Sequence, residues 1–452
     1  MSRPELQSSP LSPAPSLIAG WGRIGRTGRL VESTRLEADA PSANLFRGLG
    51  RSYGDSAVPA RESDRVVATP RADRLLFFDR ERGILRAEAG LSLKTLNDLF
   101  LAERWFVPVS PGTQFVTLGG MVAADVHGKN HHVAGTFGRY VRALLLRTAD
   151  GRLVECRPDC QPDLFWATVG GMGLTGHILE VECAMERIPS PWIWCESRRI
   201  DSLRDFVVAL KEAARFWPYT AGWIDCLTRN QHMGRGMLIC GRWADPSEAP
   251  PGPPRPKPSL PIPFDFPECA LARPVVRTFN SLIFHTHIPR IKRRIMHPAK
   301  FFYPLDTLAH WNRMYGRRGF TQYQCLLPEH GDGAATLPFF QRLTELGGSS
   351  FLCVIKDCGP EGQGMLSFPG PGISIALDLP VRDQTASLVA ELNRLVVALG
   401  GRIYLAKDQF TTAEDFRTME PRLDRWLAVR RAWDPEGRIR SAQSVRLMGD
   451  TA

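Results

Sequence analysis

Two glycine-rich segments about sixty residues apart limit what this chain can fold into more than any other feature. The first reads Arg47-Gly48-Leu49-Gly50-Arg51-Ser52-Tyr53-Gly54-Asp55-Ser56. The second runs from Pro111-Gly112-Thr113-Gln114 through Thr117-Leu118-Gly119-Gly120 to His127-Gly128-Lys129-Asn130-His131-His132. Glycine tolerates φ > 0 and carries no Cβ, so such segments let backbone N–H groups close on a diphosphate. The hydroxyls of Ser52, Thr113 and Thr117 add donors, and Arg51 adds charge. Neither segment is a GxGxxG followed by an acid about twenty residues on, and neither is a GxxxxGK[ST] loop. A lone glycine loop is most often a turn; two in tandem, the second running into a His/Lys/Asn cluster, point to a bound anion or nucleotide.

That cluster also raises the question of a metal. Adjacent residues on one loop rarely converge on one ion, and no acidic or cysteine partner stands at ligand spacing, so no metal site is expected. The ten cysteines are scattered, none precedes Glu155, and reduced, buried thiols are the reading. At 452 residues the chain exceeds one compact core and divides into at least two domains. No apolar run reaches the roughly 18 residues of a spanning helix. The Ser- and Pro-rich start, residues 1–17, lacks an apolar signal core and reads as a disordered tail. The net charge of +10 calls for a negatively charged partner, and composition alone does not choose between nucleic acid, an anionic membrane and a phosphorylated substrate.

Along the chain, Ser92 to Leu101 reads as a helix, and Leu75–Phe78 and Ile84–Ala89 as strands. Ala143–Thr148, Asp150-Gly151 and Leu153–Cys156 form a hairpin pattern, because Asp-Gly suits a turn that needs φ > 0. A helix at Asp163–Thr168 and a strand at Ile178–Cys183 close an α+β domain spanning 18–185. A second domain, 186–400, contains an insertion at about 245–300 that begins Pro250-Pro251-Gly252-Pro253-Pro254 and is read as mobile. Its apolar Ser281-Leu282-Ile283-Phe284 and basic Arg290-Ile291-Lys292-Arg293-Arg294 fit either a membrane-docking surface or a solvated loop with a charged helix end. Residues 401–452 return to helix, with Thr411-Thr412-Ala413-Glu414 as a capping box, Pro421 at a first helical position, and Leu423, Trp426, Leu427 and Trp433 as a core stripe.

The segment from Arg47 to Gly138 resembles the FAD-binding domain of the vanillyl-alcohol-oxidase/PCMH superfamily. Over residues 18 to 446 the chain is similar to one branch of it, the decaprenylphosphoryl-ribose oxidase family. The stretches that carry the likeness are RGLGRSYGDSA (47–57), VSPGTQFVTLGGMVAADVHGKNHHVAGTFG (109–138), DLFWATVGGMGLTG (163–176), FYPLDTLAHWNRMYG (302–316), TQYQ (321–324) and AKDQFTTAEDF (406–416). The resemblance implies an α+β fold: a two-subdomain PCMH-type FAD-binding domain, a substrate domain with an antiparallel sheet, and a C-terminal return to the FAD domain. It implies that FAD is lined by Phe46, Arg47, Gly48, Gly50, Arg51, Ser52, Tyr53, Gly54, Asp55 and Ser56. Gly112, Thr117, Leu118, Gly119, Gly120, His127, Gly128, Lys129, Asn130, Ile178 and Tyr404 complete the lining. Many relatives tether the flavin to a histidine in the first segment; this chain has no His or Cys before His127, so a non-covalent FAD is expected.

The same resemblance implies a substrate pocket of His127, Lys129, Gln322, Gln324, Lys356, Asp378 and Lys407, with Lys407 the catalytic contact and His127 orienting. Three residues depart from the family pattern: Ala376 replaces a pocket cysteine, Ser374 an asparagine and Phe302 a tyrosine. The stretch from Leu30 to Phe46 looks short enough for the first subdomain to lack a helix. The implied reaction is oxidation of the 2-hydroxyl of a polyprenyl-phosphoryl pentose to the 2-keto sugar. It would be the first half of an epimerisation toward the arabinose donor of cell-wall arabinan, completed by a short-chain NAD(P)H-dependent reductase. The implied setting is cytoplasmic, peripheral on the inner membrane face, without nucleic acid. An alditol or aldonolactone oxidase acting on a soluble polyol is the alternative within the superfamily.

Overall fold

The computed structural model describes residues 14–255, 258–329 and 333–451. Its strands gather into three larger sheets. The first contains β1 (Ser16–Ala19), β2 (Gly25–Glu32), β3 (Leu45–Arg47) and β4 (Arg65–Ala68) in the order β1-β2-β4-β3. Val66 and Val67 are fully buried, the place β-branched residues fill best in a pleated sheet. Ser16 pairs with Gly28, so the expected tail stops short of residue 16; its residues 1–13 lie outside the described chain. The short Leu30–Phe46 link does hold a helix, the single turn α1 (Leu36–Asp39), because Leu36 finds a buried position.

The second sheet is antiparallel: β5 (Leu75–Asp79), β6 (Ile84–Glu88), β7 (Val141–Arg147), β8 (Leu153–Cys156) and β9 (His177–Ala184), in the order β5-β6-β9-β7-β8. The β7–β8 hairpin turns at Asp150-Gly151 with Gly151 at φ +85°, as the dipeptide requires. Three helices pack here: α2 (Leu93–Phe100), capped by Ser92; α3 (Leu118–Ala123), capped by Thr117; and α4 (Pro162–Thr168).

The third sheet has eight antiparallel strands: β10 (Ile193–Ile200), β11 (Tyr219–Ile224), β12 (Gly236–Trp243), β13 (Ile291–Met296), β14 (Phe320–Leu327), β15 (Cys353–Cys358), β16 (Gly372–Pro380) and β17 (Arg402–Ile403). Their spatial order is β13-β10-β12-β11-β15-β16-β14-β17. β14 is buried along its whole length, as a strand covered on both faces must be. The 245–300 stretch, expected as one mobile insertion, contains the helix α5 (Arg273–His285) and β13, the edge of this sheet; from Ile291 on the basic run is therefore strand, in a β13 held by six register pairs to β10. A short helix α6 (Pro298–Phe302) follows.

Beyond α7 (Thr385–Ala398), β17 hands the chain back to the first domain. Two details of that return differ from expectation. The cap of α8 (Ala413–Met419) is Thr412, whose hydroxyl accepts from Asp415 N, because the Thr411 hydroxyl is engaged by Asn393 of α7. Pro421 stands two residues ahead of α9 (Leu423–Trp433), in the turn before it. Leu423, Trp426 and Leu427 are core as expected, and Trp426 donates its indole N–H to Ala167 O at 2.8 Å.

Candidate active site

The first glycine segment leaves β3 and wraps back on itself. Arg47 ties it down, donating to Ala57 O at 2.8 Å and Ala19 O at 2.6 Å, and Gly50 makes the turn at φ +64° where a Cβ would strike that guanidinium. Among the described residues, the consecutive amides of Gly48, Leu49, Gly50, Arg51 and Ser52 have no acceptor in the protein. A run of unpaired N–H groups around a positive-φ glycine is a nest that suits an anion such as a diphosphate. The buried Ser56 hydroxyl likewise has no partner among the described residues. Arg51 lies over the Trp21 ring at 3.9 Å.

Other members of this segment serve the fold. Asp55 is closed off by Arg446, at 2.7 and 3.0 Å, and the same guanidinium reaches Asp408 at 2.8 Å. Gly54 passes so close to the Asp408 carbonyl that any Cβ would overlap it. Tyr53 donates its amide to Ala406 O, and its ring supports Lys407, whose Nζ sits 3.7 Å from the ring centroid, so its side chain stands with Lys407 and not with the amide run.

The second glycine segment is built differently. The amides of Leu118 and Gly119 donate to Leu91 O and Ala89 O, and that of Gly120 to the Thr117 hydroxyl. Gly119 is glycine because α3 presses on Ala89. Thr113 donates its hydroxyl to Asp306 at 2.8 Å, and Gln114 N donates to the same carboxylate at 2.8 Å, so Thr113 is an interdomain clasp. Gly112 remains open, since a Cβ at that position would meet nothing within 4 Å, and Gly120 is exposed. Ile178 is buried on β9.

Beyond α3, the HGKNHH stretch is cross-braced into place. Asn130 donates to Pro108 O at 2.8 Å, His131 Nδ1 accepts from Gly359 N at 3.0 Å, and His132 Nε2 meets Trp217 O at 2.8 Å. Tyr404 donates to Ala124 O at 2.9 Å and packs its ring against His127. Opposite stands one face of the eight-stranded sheet. Register pairs Gln322 with Asp378, Gln324 with Ala376, and Lys356 with Ser374, and directly paired residues of an antiparallel ladder share a face. Gln324 presents its amide N–H groups to Ser374 Oγ and His127 Nε2, each at 3.1 Å. His127 Nε2 is then the acceptor, the imidazole proton sits on Nδ1, and that buried Nδ1 has no partner among the described residues.

The electrostatics follow from burial. The Lys407 and Lys129 ammonium groups are each pulled down to about 7, first by burial and then by neighbouring Lys356, against which Asp378 supports Lys407. Lys356 is lowered by burial, and Lys129 also donates to Phe302 O at 3.1 Å. His127 is held well below the usual imidazole range by burial and then by Lys356, so it is neutral. Asp378 is pushed up to about 6 by burial, opposed by hydrogen bonds from Gln322 at 2.6 Å and Tyr315 at 2.8 Å. The structure thus brings His127, Lys129, Gln322, Gln324, Lys356, Asp378 and Lys407 to one place. Sequence reasoning missed Tyr315, which orients Asp378, and Asp306, the clasp to the second glycine segment; both lie inside the quoted 302–316 stretch, their only signal.

Residues 29–157 match a family model described as FAD binding domain. The chain is 34% identical over 457 aligned residues to the decaprenylphosphoryl-beta-D-ribose oxidase of Mycolicibacterium smegmatis, with 95% of this chain and 97% of that protein covered. It is 32% identical to an uncharacterized protein of Streptomyces coelicolor, across 79% of this chain and all of that one. An L-gulonolactone oxidase from Scyliorhinus torazame matches at 30% identity over 30% of each chain.

Proposed function

The chain belongs to the decaprenylphosphoryl-beta-D-ribose oxidase family of FAD-dependent oxidoreductases, and we propose that it oxidises the 2-hydroxyl of a polyprenyl-phosphoryl pentose to the 2-keto sugar. The observation that carries this reading is the cationic wall: Lys129, Lys356 and Lys407 gathered around the neutral His127, with Asp378 as the carboxylate partner of Lys407. A free polyol has no charge to match these cations; a phosphodiester does.

FAD, held non-covalently by the Gly48–Ser52 amides, supplies the hydride acceptor when bound. Lys407, its ammonium lowered to about 7 by burial, takes the hydroxyl proton on Nζ. His127 offers Nδ1–H to orient the reacting oxygen, and Gln324 keeps the imidazole in that tautomer. Lys129 and Lys356 hold the phosphoryl group. A short-chain NAD(P)H-dependent reductase then returns hydride to the opposite face of the ketone, completing an epimerisation to the arabinose form. No helix among the described residues is long and apolar enough to cross a membrane; the protein meets its lipid-linked substrate from the cytoplasmic side as a peripheral protein.

The test is anaerobic mixing of the FAD-loaded protein with polyprenyl-phosphoryl ribose while the absorbance of oxidised flavin is followed. Bleaching by the lipid-linked pentose, and none by xylitol or gulonolactone, is the expected result. Bleaching only by the free polyol or lactone overturns the reading in favour of a soluble-polyol oxidase.

A further inference from the structure

The pocket-bearing face of the eight-stranded sheet can be followed, pair by pair, to its far edge. Lys356 shares its face with Val354, two residues along β15, and Val354 pairs with Trp223 of β11. Trp223 shares that face with Tyr219, which pairs with Gly241; Gly241 pairs with Cys195, and Cys195 with Arg294 of the edge strand β13. Ser197 and Lys292, one step along the same two strands, lie on this side as well. The Cys195 thiol lies within electrostatic reach of both Arg294 and Lys129. Cations therefore stand at both ends of this face, Lys356 and Lys129 at the pocket and Arg294 and Lys292 at the sheet edge.

Charges on an edge strand often serve only to prevent strand addition. That explanation suits Arg290 and Arg293, which pair with Asp201 and Glu196. It does not cover Lys292 and Arg294 on the strand, and it does not apply to Arg277 on α5; among the described residues none of the three has an acidic partner. Beside them stand large apolar side chains turned to solvent. On α5, Val276, Asn280 and Phe284 face inward, leaving Val275, Phe279 and Leu282 outside. Leu282 is 61% exposed, and Ile288, in the turn that joins α5 to β13, is 73% exposed. Ile291 opens the strand, also exposed.

We propose that this face, made of the outer side of α5, the turn 286–290 and β13, rests on an anionic lipid bilayer, with the cationic wall of the pocket opening toward the membrane. Unpaired cations interleaved with protruding aliphatic side chains match a surface of anionic headgroups over acyl chains. The proposal rests on the reading of a lipid-linked substrate, whose prenyl chain stays in the bilayer while its sugar enters the pocket.

The test is co-sedimentation of the full-length FAD-loaded protein with vesicles that contain no substrate, made of phosphatidylcholine alone or mixed with phosphatidylglycerol. Binding to the anionic vesicles, weakened by salt and slight on phosphatidylcholine alone, is expected. The variants Leu282→Ser/Ile288→Ser and Arg277→Glu should each partition at least about tenfold more weakly. Both should retain FAD and oxidise a short-chain, water-soluble prenyl-phosphoryl ribose at the unaltered rate. No binding at low salt, or binding that these variants leave unchanged, overturns the proposal. So does a protein dimer that Leu282→Ser/Ile288→Ser dissolves, since a second copy would then be the occupant. Because vesicle binding needs no turnover, and turnover of the short-chain compound needs no vesicle, failure of the docking face and failure of the substrate reading are separable.

Discussion

Between Gly48 and Ser52 the chain offers its ligand backbone amides; between Gln322 and Lys407 it offers side chains. The two walls of the site therefore answer differently to substitution. Amides persist whatever side chain is attached, so the cofactor wall is sensitive mainly where a Cβ has no room. The substrate wall depends on the identity of each ammonium, carboxamide and carboxylate. The second glycine segment sharpens the contrast, because its amides at Leu118, Gly119 and Gly120 are consumed inside the protein. Glycine there lets α3 approach β6, and the cofactor loop depends on that approach only indirectly: a Cβ on Gly48 would meet the Thr117 hydroxyl.

The largest effect expected is from Lys407→Ala. FAD should remain bound at full occupancy, since the residue lies on the substrate wall, while flavin reduction by substrate falls by about 10²–10⁴. Loss of FAD from this variant would break the division into two walls. The pH dependence adds a sign. Because burial lowers Lys407 to about 7, its proton-accepting form grows as pH rises through 7, and the reduction rate at saturating substrate should climb. Lys129, lowered to about 7 as well, loses charge over the same range, and substrate binding weakens. His127, neutral already, adds no second rise. Lys407→Arg keeps the charge but not the base, so it should preserve substrate binding and abolish both rate and pH limb. A pH-independent rate in the parent protein would remove Lys407 from the role of base.

A smaller but still large effect is expected on the backbone wall. Gly54→Val puts a branched side chain onto the Asp408 carbonyl, where the first glycine segment meets the C-terminal return. Overpacking of this kind costs about 1–3 kcal/mol, so both the melting temperature and FAD retention should fall. Arg51→Ala, which removes a guanidinium lying over Trp21 and Phe115, should weaken FAD far less. Equal losses in the two variants would mean that the side chain, and not the amide nest, carries the cofactor.

How much of this is visible in the sequence depends on how local each cause is. The turn at Gly151, the cap at Ser92 and the loop around Gly50 are each decided within a few residues, and each is legible. The cap of α8 falls one residue later than the sequence suggests, because adjacent threonines both suit a cap; the choice is made by Asn393, a neighbour only in the fold. The basic run 290–294 carries no strand signal, since charges on an edge strand mask the alternation that pairing with β10 imposes. Asp55 reads as part of a cofactor loop, yet Arg446, 391 residues away in the chain, holds it for the fold. The substrate wall is the extreme case. Gln322, Lys356, Asp378 and Lys407 follow no spacing rule, because separate strands bring them together, and only the family resemblance names them.

The smallest effect tests the finest feature of the substrate wall. Ser374 does not touch the reacting centre; it accepts one N–H of Gln324 and so aims the other at His127 Nε2. Removing that acceptor in Ser374→Ala lets the carboxamide rotate and present its oxygen to Nε2, which moves the imidazole proton away from Nδ1. One neutral hydrogen bond is worth about 1 kcal/mol, so kcat should fall by roughly three- to tenfold with KM nearly unchanged, FAD fully bound and the fold intact. A merely structural serine would lower the melting temperature and leave kcat alone. Ser374→Asn, which restores an acceptor at the end of a longer arm, should recover most of the rate. If Ser374→Ala alters KM instead of kcat, Ser374 acts on substrate binding, and the orienting role belongs to Gln324 alone.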